Sequence, residues 1–476
     1  MLFNSFQFLV FFLIVTTLYY VLPHKYRWLM LLISSCYFYM AFVPVYILIL
    51  IFTIVIDYFA GISIERFQGK RRKLILLISL IANIGVLVVF KYYNFAIENI
   101  SVVLRSIGLP SKIPYLSILL PIGLSFHTFQ AMSYTIEVYR GNQKAEKHFG
   151  IYALYVMFYP QLVAGPIERP QNVLHQFYEK KQFNYYHVSR GLKLMLWGLF
   201  KKVVIADRLS VYVDTVFNHV GSKEFGSPTY VLAAVLFSIQ IYCDFSGYSD
   251  MALGAAEVMG FKLMKNFSRP YFAKSIREFW TRWHISLSTW FRDYVYFPLG
   301  GNRVSLNRWI FNLFVVFLLS GLWHGANWTY IVWGALHGVF MGINAILSKL
   351  KKAKTSENYD SNVFISFLKM AGVFILVSFA WVFFRANTMN DAIGVFKNIL
   401  HWKSGLFLGP IQSLIYSFAG LLILIAAEAK QEFFNKRFSI SQSSHTVIRW
   451  AYCIILIFMI LSIGVFNGSQ FIYFQF

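Results

Sequence analysis

Apolar residues in this chain arrive in long unbroken runs separated by short polar or basic stretches. The runs fall at about 6–22, 28–43, 45–62, 74–92, 114–137, 150–164, 190–206, 228–258, 309–322, 328–348, 362–384, 410–428 and 446–466. About 20 apolar residues in a helix cross a hydrocarbon core of roughly 30 Å. The runs do not alternate polar with apolar, and only helices or closed barrels satisfy backbone groups in lipid, so the pattern predicts about ten to thirteen transmembrane helices. No internal repeat or linker divides them, and one membrane domain over residues 1–476 is expected.

Polar positions between the runs set the expected topology. Arg66, Lys70, Arg71, Arg72 and Lys73, then Lys349, Lys351, Lys352 and Lys354, then Lys430, Lys436 and Arg437 are the densest basic loops. The positive-inside bias places them in the cytoplasm and both termini outside. The first run has no Lys or Arg before it and no small-residue cleavage site after it, which predicts a retained helix rather than a signal peptide.

Two stretches break the pattern. Irregular backbone at membrane depth is tolerated only where protein or a water-filled cavity surrounds it, so these stretches are the places to look for a site. One is Tyr159-Pro160-Gln161-Leu162-Val163-Ala164-Gly165-Pro166-Ile167-Glu168-Arg169-Pro170, where three prolines and a glycine end a helix. The other covers 269–327. Within it, 275–294 has helical period, with Ile276, Phe279, Trp280, Trp283, Leu287, Trp290 and Phe291 on one arc, and predicts one amphipathic interfacial helix. His284 then falls at the margin of the apolar stripe. It is either solvated at the interface or turned to a lumen.

The run 309–322 rises only about 21 Å as a helix, less than the core thickness, so the chain is expected to turn before leaving the membrane. His324 follows at once and would lie deep, where an ionisable side chain normally faces a cavity or a partner. A neutral imidazole there suits general-base work, taking a proton from an alcohol that attacks an activated acyl carbon. Gly321 and Gly325 flank it, and serve either close approach of substrate or helix packing. A third cluster lies in 240–250, where Asp244 and Asp250 interrupt an apolar helix that continues to Glu257. Cys243, Asp250 and Glu257 share a face at spacings of seven. These acids either orient a sugar or an imidazolium, or pair with Arg from other helices.

Composition adds exclusions. The chain is 58% hydrophobic and 13% charged, with a mean hydropathy of +0.57, far too apolar for a soluble fold of 476 residues. Its net charge of +23 sits in the short loops, so topology and not nucleic acid explains it. Cys36, Cys243 and Cys453 show neither metal-ligand nor disulfide spacing and read as buried small hydrophobes. No nucleotide-binding loop, serine elbow or zinc motif is present, and no metal is expected.

Several stretches together resemble the membrane-bound O-acyltransferase family, in particular its bacterial alginate O-acetyltransferase-like branch. They are Ser125-Phe126-His127-Thr128-Phe129-Gln130, the turn at 159–170, Asp244-Phe245-Ser246-Gly247-Tyr248-Ser249-Asp250, and 279–290. Leu322-Trp323-His324-Gly325, Trp381-Val382-Phe383-Phe384-Arg385-Ala386 and the closing Phe471-Ile472-Tyr473-Phe474-Gln475-Phe476 complete the set. The resemblance implies an all-α polytopic membrane protein, a ring of transmembrane helices around a central tunnel with re-entrant and interfacial helices. Its motif core would span about 120–350, with flanking helices at 1–110 and 360–470. It implies His324 and His284 as catalytic residues; Arg282, Asp244, Trp280 and Gln161 are added beside them as candidate tunnel-lining or positioning groups. It further implies no permanently bound cofactor, acetyl-CoA as donor, an extracytoplasmic polysaccharide acceptor and an SGNH-type extracytoplasmic helper, in the bacterial inner membrane. D-alanyl transfer to teichoic acid, within the same family, and a transporter of lipid-linked glycans are the rival readings.

Overall fold

A computed structural model describes the chain except residues 111–112, 118–120, 122, 163–164, 223, 354–362, 435–445, 467–470 and 473–476. Val163 and Ala164 of the proline turn, Lys354, Lys436 and Arg437 of the basic loops, and Tyr473 to Phe476 of the closing motif lie outside the described residues. All regular elements among the described residues are helical. Eight helices there are long and apolar enough to cross a membrane: Pro44–Arg66, Gly69–Ser106, Ser227–Val258, Leu306–His324, Trp328–Leu350, Val363–Arg385, Ile411–Phe434 and Thr446–Ile463. The molecule is an all-α, multi-pass membrane protein.

Eight is fewer than the pattern of apolar runs predicts, and the differences have local causes. The run 6–22 forms Phe6–Val21, whose 16 residues rise about 24 Å. The run 28–43 forms His24–Met40, of 17 residues. The run 150–164 is cut into Phe149–Met157 and Tyr159–Leu162, because Pro160 has no N–H to continue the ladder. The run 190–206 passes from Tyr185–Phe200 into a π-helical segment, Lys201–Ala206, that carries two buried lysines.

Outward faces of these helices carry large apolar side chains such as Ile454, Phe458 and Leu461, which lipid can cover. Only 11% of the apolar window of Thr446–Ile463 is buried within the protein, against 72% for Ser227–Val258. Polar residues follow that burial: Gln240, Asp244, Ser246 and Ser249 all lie on the enclosed helix. A charge facing lipid would cost several kcal/mol, so carboxylates are expected on enclosed faces such as those of this helix.

The chain divides into two compact units, Met1–Met195 with Met251–Met264, and Leu196–Asp250 with Lys265–Phe476. In the first, Asp57 is fully buried and accepts hydrogen bonds from Ser79 Oγ (2.6 Å) and Asn83 Nδ2 (2.9 Å), tying Ile47–Arg66 to Gly69–Leu87. The proline turn is held by a similar exchange of partners. Tyr159 donates its N–H to Ser35 Oγ (3.1 Å) instead of the Tyr155 carbonyl, and that carbonyl is taken up by the side-chain amides of Gln130 and Gln161. Further along, Glu168 accepts from the backbone N–H of Met264 and from Asn172, and burial pushes its carboxyl up to about 7.

The second unit is organised on an antiparallel pair, Leu306–His324 and Trp328–Ala353. Gly334, Gly338 and Gly342 recur every fourth residue along one face of the latter. A Cβ on Gly334 would collide with the Phe317 carbonyl, one on Gly338 would meet Phe314, and one on Gly342 would meet Ile310. Gly321 faces this seam from the other helix, against the Tyr330 carbonyl and the Cα of Gly334. Backbones meet where side chains are absent, the usual device of helix association in lipid.

Candidate active site

The segment 275–294 forms two short helices, Ile276–Arg282 and Ile285–Phe291, rather than one. Ser275 caps the first by accepting from Glu278 N, and the helix stops when Trp283 turns extended. His284 then adopts a left-handed conformation, φ 41° and ψ 56°, which costs a non-glycine residue roughly 1–2 kcal/mol. A neighbouring strand of backbone holds it there. Ser268 N–H bonds to the Arg282 carbonyl (2.9 Å), Ile285 N–H to the Asn266 carbonyl (2.9 Å), and Ser286 N–H to the Asn266 side-chain oxygen (3.2 Å). Helical periodicity assumes a regular backbone, so it could not reveal this break. The break also corrects the position of His284, which is fully buried, not at a solvated margin. Its ring meets Phe245 edge-on at 4.7 Å and Trp323 at 6.1 Å, and burial lowers its pKa to about 3, so it is neutral near pH 7.

His324 ends the helix Leu306–His324, which has 19 residues and rises about 28 Å. The expected short run of 14 residues is corrected: Leu306, Asn307 and Arg308 extend the helix at its start and Trp323 and His324 at its end, so it is long enough to cross. The imidazole is 4% exposed and boxed by rings, Trp323 at 4.9 Å, Trp333 at 5.0 Å and Phe384 at 5.2 Å. Both flanking glycines serve packing. A side chain on Gly325 would strike the Tyr330 ring, and one on Gly321 the Tyr330 carbonyl.

Trp280, on the first of the two short helices, points its indole N–H at Nδ1 of His337 (3.3 Å) and packs against Trp333 and Phe317. His337 was not singled out from the sequence. It is fully buried, and its ring meets Trp280, Trp333 and Trp381 edge-on. A readable signal existed, since His337 is the one charged-type residue inside the apolar run 328–348.

The remaining candidates have structural partners. Arg282 bonds Glu278 (2.6 Å) and Glu432 (2.8 Å), and Arg269, the second non-glycine residue with positive φ, shares Glu432 at 2.7 Å. Asp244 accepts from Lys202 (2.6 Å) and from the Ile472 backbone N–H (2.8 Å), while Lys202 also reaches Asp207 (2.8 Å). Lys201 pairs with Asp250 (2.7 Å) and Ser246 (2.8 Å). In the first unit, Glu257 meets His187 at 2.8 Å. The acids at 244, 250 and 257 are therefore paired: lysines serve the first two, and Glu257 has His187 and, at 3.9 Å, Arg190, so the expected arginine partner is found at 257 alone. Lys201 and Lys202 went unnoticed in the sequence. Adjacent lysines on an α-helix diverge by about 100°, and the π-helical turn lets both serve one neighbouring helix.

Within the second unit His324, His284 and Trp280 come together through Trp323 and Trp333, with Arg282 and Asp244 as near sequence neighbours of the same walls. Gln161 belongs to the first unit, where its amide holds the Tyr155 carbonyl. Cys243 is buried, whereas Cys36 and Cys453 are half-buried, a partial correction. Among the described residues, no group of three or more His, Cys, Asp or Glu is arranged to hold a metal.

Residues 147–384 match the model of the membrane-bound O-acyltransferase family. That interval contains all six candidate residues. Among curated proteins, the chain is 40% identical to a probable alginate O-acetylase of Pseudomonas aeruginosa, over 82% of this chain and 73% of that one. It is 35% identical to a peptidoglycan O-acetyltransferase of Helicobacter pylori, over 78% and 73%. A teichoic acid D-alanyltransferase of Bacillus subtilis is 28% identical over 56% and 69%.

Proposed function

This chain belongs to the membrane-bound O-acyltransferase family, and on that premise we propose that it transfers an acetyl group to hydroxyls of an extracytoplasmic polysaccharide. The donor in this reading is cytoplasmic acetyl-CoA, the setting is the bacterial inner membrane, and transfer is direct or passes through an SGNH-type helper. Acetyl is preferred to D-alanyl because the acetylating relatives match more of the chain at higher identity than the D-alanyltransferase does.

The observation that carries the reading is His324 in its aromatic box at the end of a glycine-seamed helix pair. A neutral imidazole there accepts the proton of an attacking hydroxyl, and the rings around it limit competing water. His284, held neutral by burial, acts as a second wall of the site and orients the first through Trp323.

The test is acetyl transfer by purified protein in detergent with labelled acetyl-CoA and an oligosaccharide acceptor. His324→Ala loses about 10²–10⁴-fold in turnover while still inserting and unfolding normally. Undiminished turnover in that variant would overturn the mechanism. Glycan movement with no acyl donor present would favour the transporter, and label transfer only from a D-alanyl carrier protein would favour the teichoic acid reading.

A further inference from the structure

We infer that the indole N–H of Trp333 and the Nε2–H of His337 form a pair of donors for the carbonyl oxygen of the acyl group under transfer, and hold it as it takes up negative charge. This rests on the acyl-transfer reading above and adds two residues to it.

The tautomer of His337 follows from its neighbour. Trp280 Nε1 can only donate, so His337 Nδ1 accepts, and a neutral ring then carries its proton on Nε2. That Nε2 is buried and meets no hydrogen-bond acceptor among the described residues. The same is true of Trp333 Nε1. Both residues are fully buried. They lie four apart on Trp328–Ala353, hence on one face, with ring centroids 5.0 Å apart. Buried donors without acceptors are rare in folded proteins, and a bound group is one of the standard reasons for them.

Position and chemistry then select the acceptor. The His324 ring stands perpendicular to Trp333, 5.0 Å between centroids, so the donors adjoin the proposed base. The other rings against them are Phe317, Phe340, Trp381 and Phe384, none of which carries charge. Two neutral N–H groups in an apolar box suit an uncharged oxygen that gains charge during reaction, rather than a carboxylate or phosphate that arrives charged. In the step, the hydroxyl oxygen bonds to the thioester carbon and its proton passes to His324. The carbonyl electron pair moves onto the oxygen held by Trp333 and His337. When the carbonyl re-forms, the carbon–sulfur bond breaks and the thiolate leaves, taking the proton back from His324 as the free thiol.

The experiment compares Trp333→Phe, His337→Asn and His337→Gln in full-length protein with acetyl-CoA, beside wild type and His324→Ala. Glutamine places an amide N–H near the former Nε2, while asparagine reaches only the Nδ1 position. Trp333→Phe and His337→Asn are expected to lower kcat about 10²-fold with KM nearly unchanged, and His337→Gln to recover about tenfold of that loss. Isotope-edited infrared spectra of bound ¹³C-carbonyl acetyl-CoA give a second readout: the thioester stretch moves to higher frequency in Trp333→Phe and His337→Asn. Normal kcat in Trp333→Phe and His337→Asn, while His324→Ala is inactive, would overturn the donor pair and leave the proposed function standing. Equal losses in the glutamine and asparagine variants, with an unmoved carbonyl band, would likewise reduce His337 to packing. A wild type that neither binds nor consumes acetyl-CoA removes the donor reading itself and this inference with it.

Discussion

Two clusters of the second unit, the ring box around His324 and the ion-pair knot around Lys202, look alike in sequence and differ in what they leave open. Each places polar residues inside otherwise apolar helices. In the knot, Lys202 serves Asp244 and Asp207, and Lys201 serves Asp250, so each charge has a counter-charge within 2.8 Å. In the box, Trp333 Nε1 and His337 Nε2 find no acceptor among the described residues. Buried charges that pair with each other specify a fold, whereas donors that fold without an acceptor are available to a substrate. Polarity at membrane depth marks both regions as important, and only the accounting of partners separates structure from chemistry.

The sharpest separation is expected from two substitutions with opposite readouts. His324→Ala removes nearly all turnover, about 10²–10⁴-fold, and leaves the thermal midpoint in detergent within a few degrees of wild type. Lys202→Met leaves Asp207 and Asp244 buried against each other without their cation, and should cost about 3–5 kcal/mol of stability. Its midpoint falls, and Asp244→Asn added to it restores part of the loss. If Lys202→Met folded normally but lost turnover, the knot would belong to the site and the distinction would fail.

Smaller effects probe the scaffolding on either side. Gly334→Ala pushes a methyl into the Phe317 carbonyl and the Gly321 backbone, and should cost about 1–3 kcal/mol by forcing the helix pair apart. Because His324 ends that pair, kcat should drop alongside stability. Ser275→Ala removes the cap on Glu278 N and should cost about 1 kcal/mol, with little change in turnover if the backbone pairing at Asn266 and Ser268 is what holds His284. A large activity loss in Ser275→Ala would instead make the cap part of the geometry that holds His284.

Much was legible before any coordinates, for reasons that are local in sequence. Unbroken apolar runs announce helices in lipid because hydrocarbon leaves the backbone no other partner, and an imidazole next to such a run, as at His324, stands out by the cost of burying it. Asp244 and Asp250 announced themselves by the same cost. His284 was found as a residue but misplaced, because periodicity extrapolates a straight helix through Trp283, where the chain turns left-handed.

What the chain order could not supply was the matching of partners across it. That Asp244 takes Lys202 and Ile472, that Trp280 reaches His337 across 57 positions, and that Tyr159 N–H takes Ser35 while Gln130 takes the Tyr155 carbonyl are pairings between distant segments. Amino-acid type sets what each group costs when buried, and that cost is a property of the residue alone. Whether the cost is met by the protein or left for a substrate depends on which atoms packing brings within about 3 Å, a quantity that exists only once the helices are assembled.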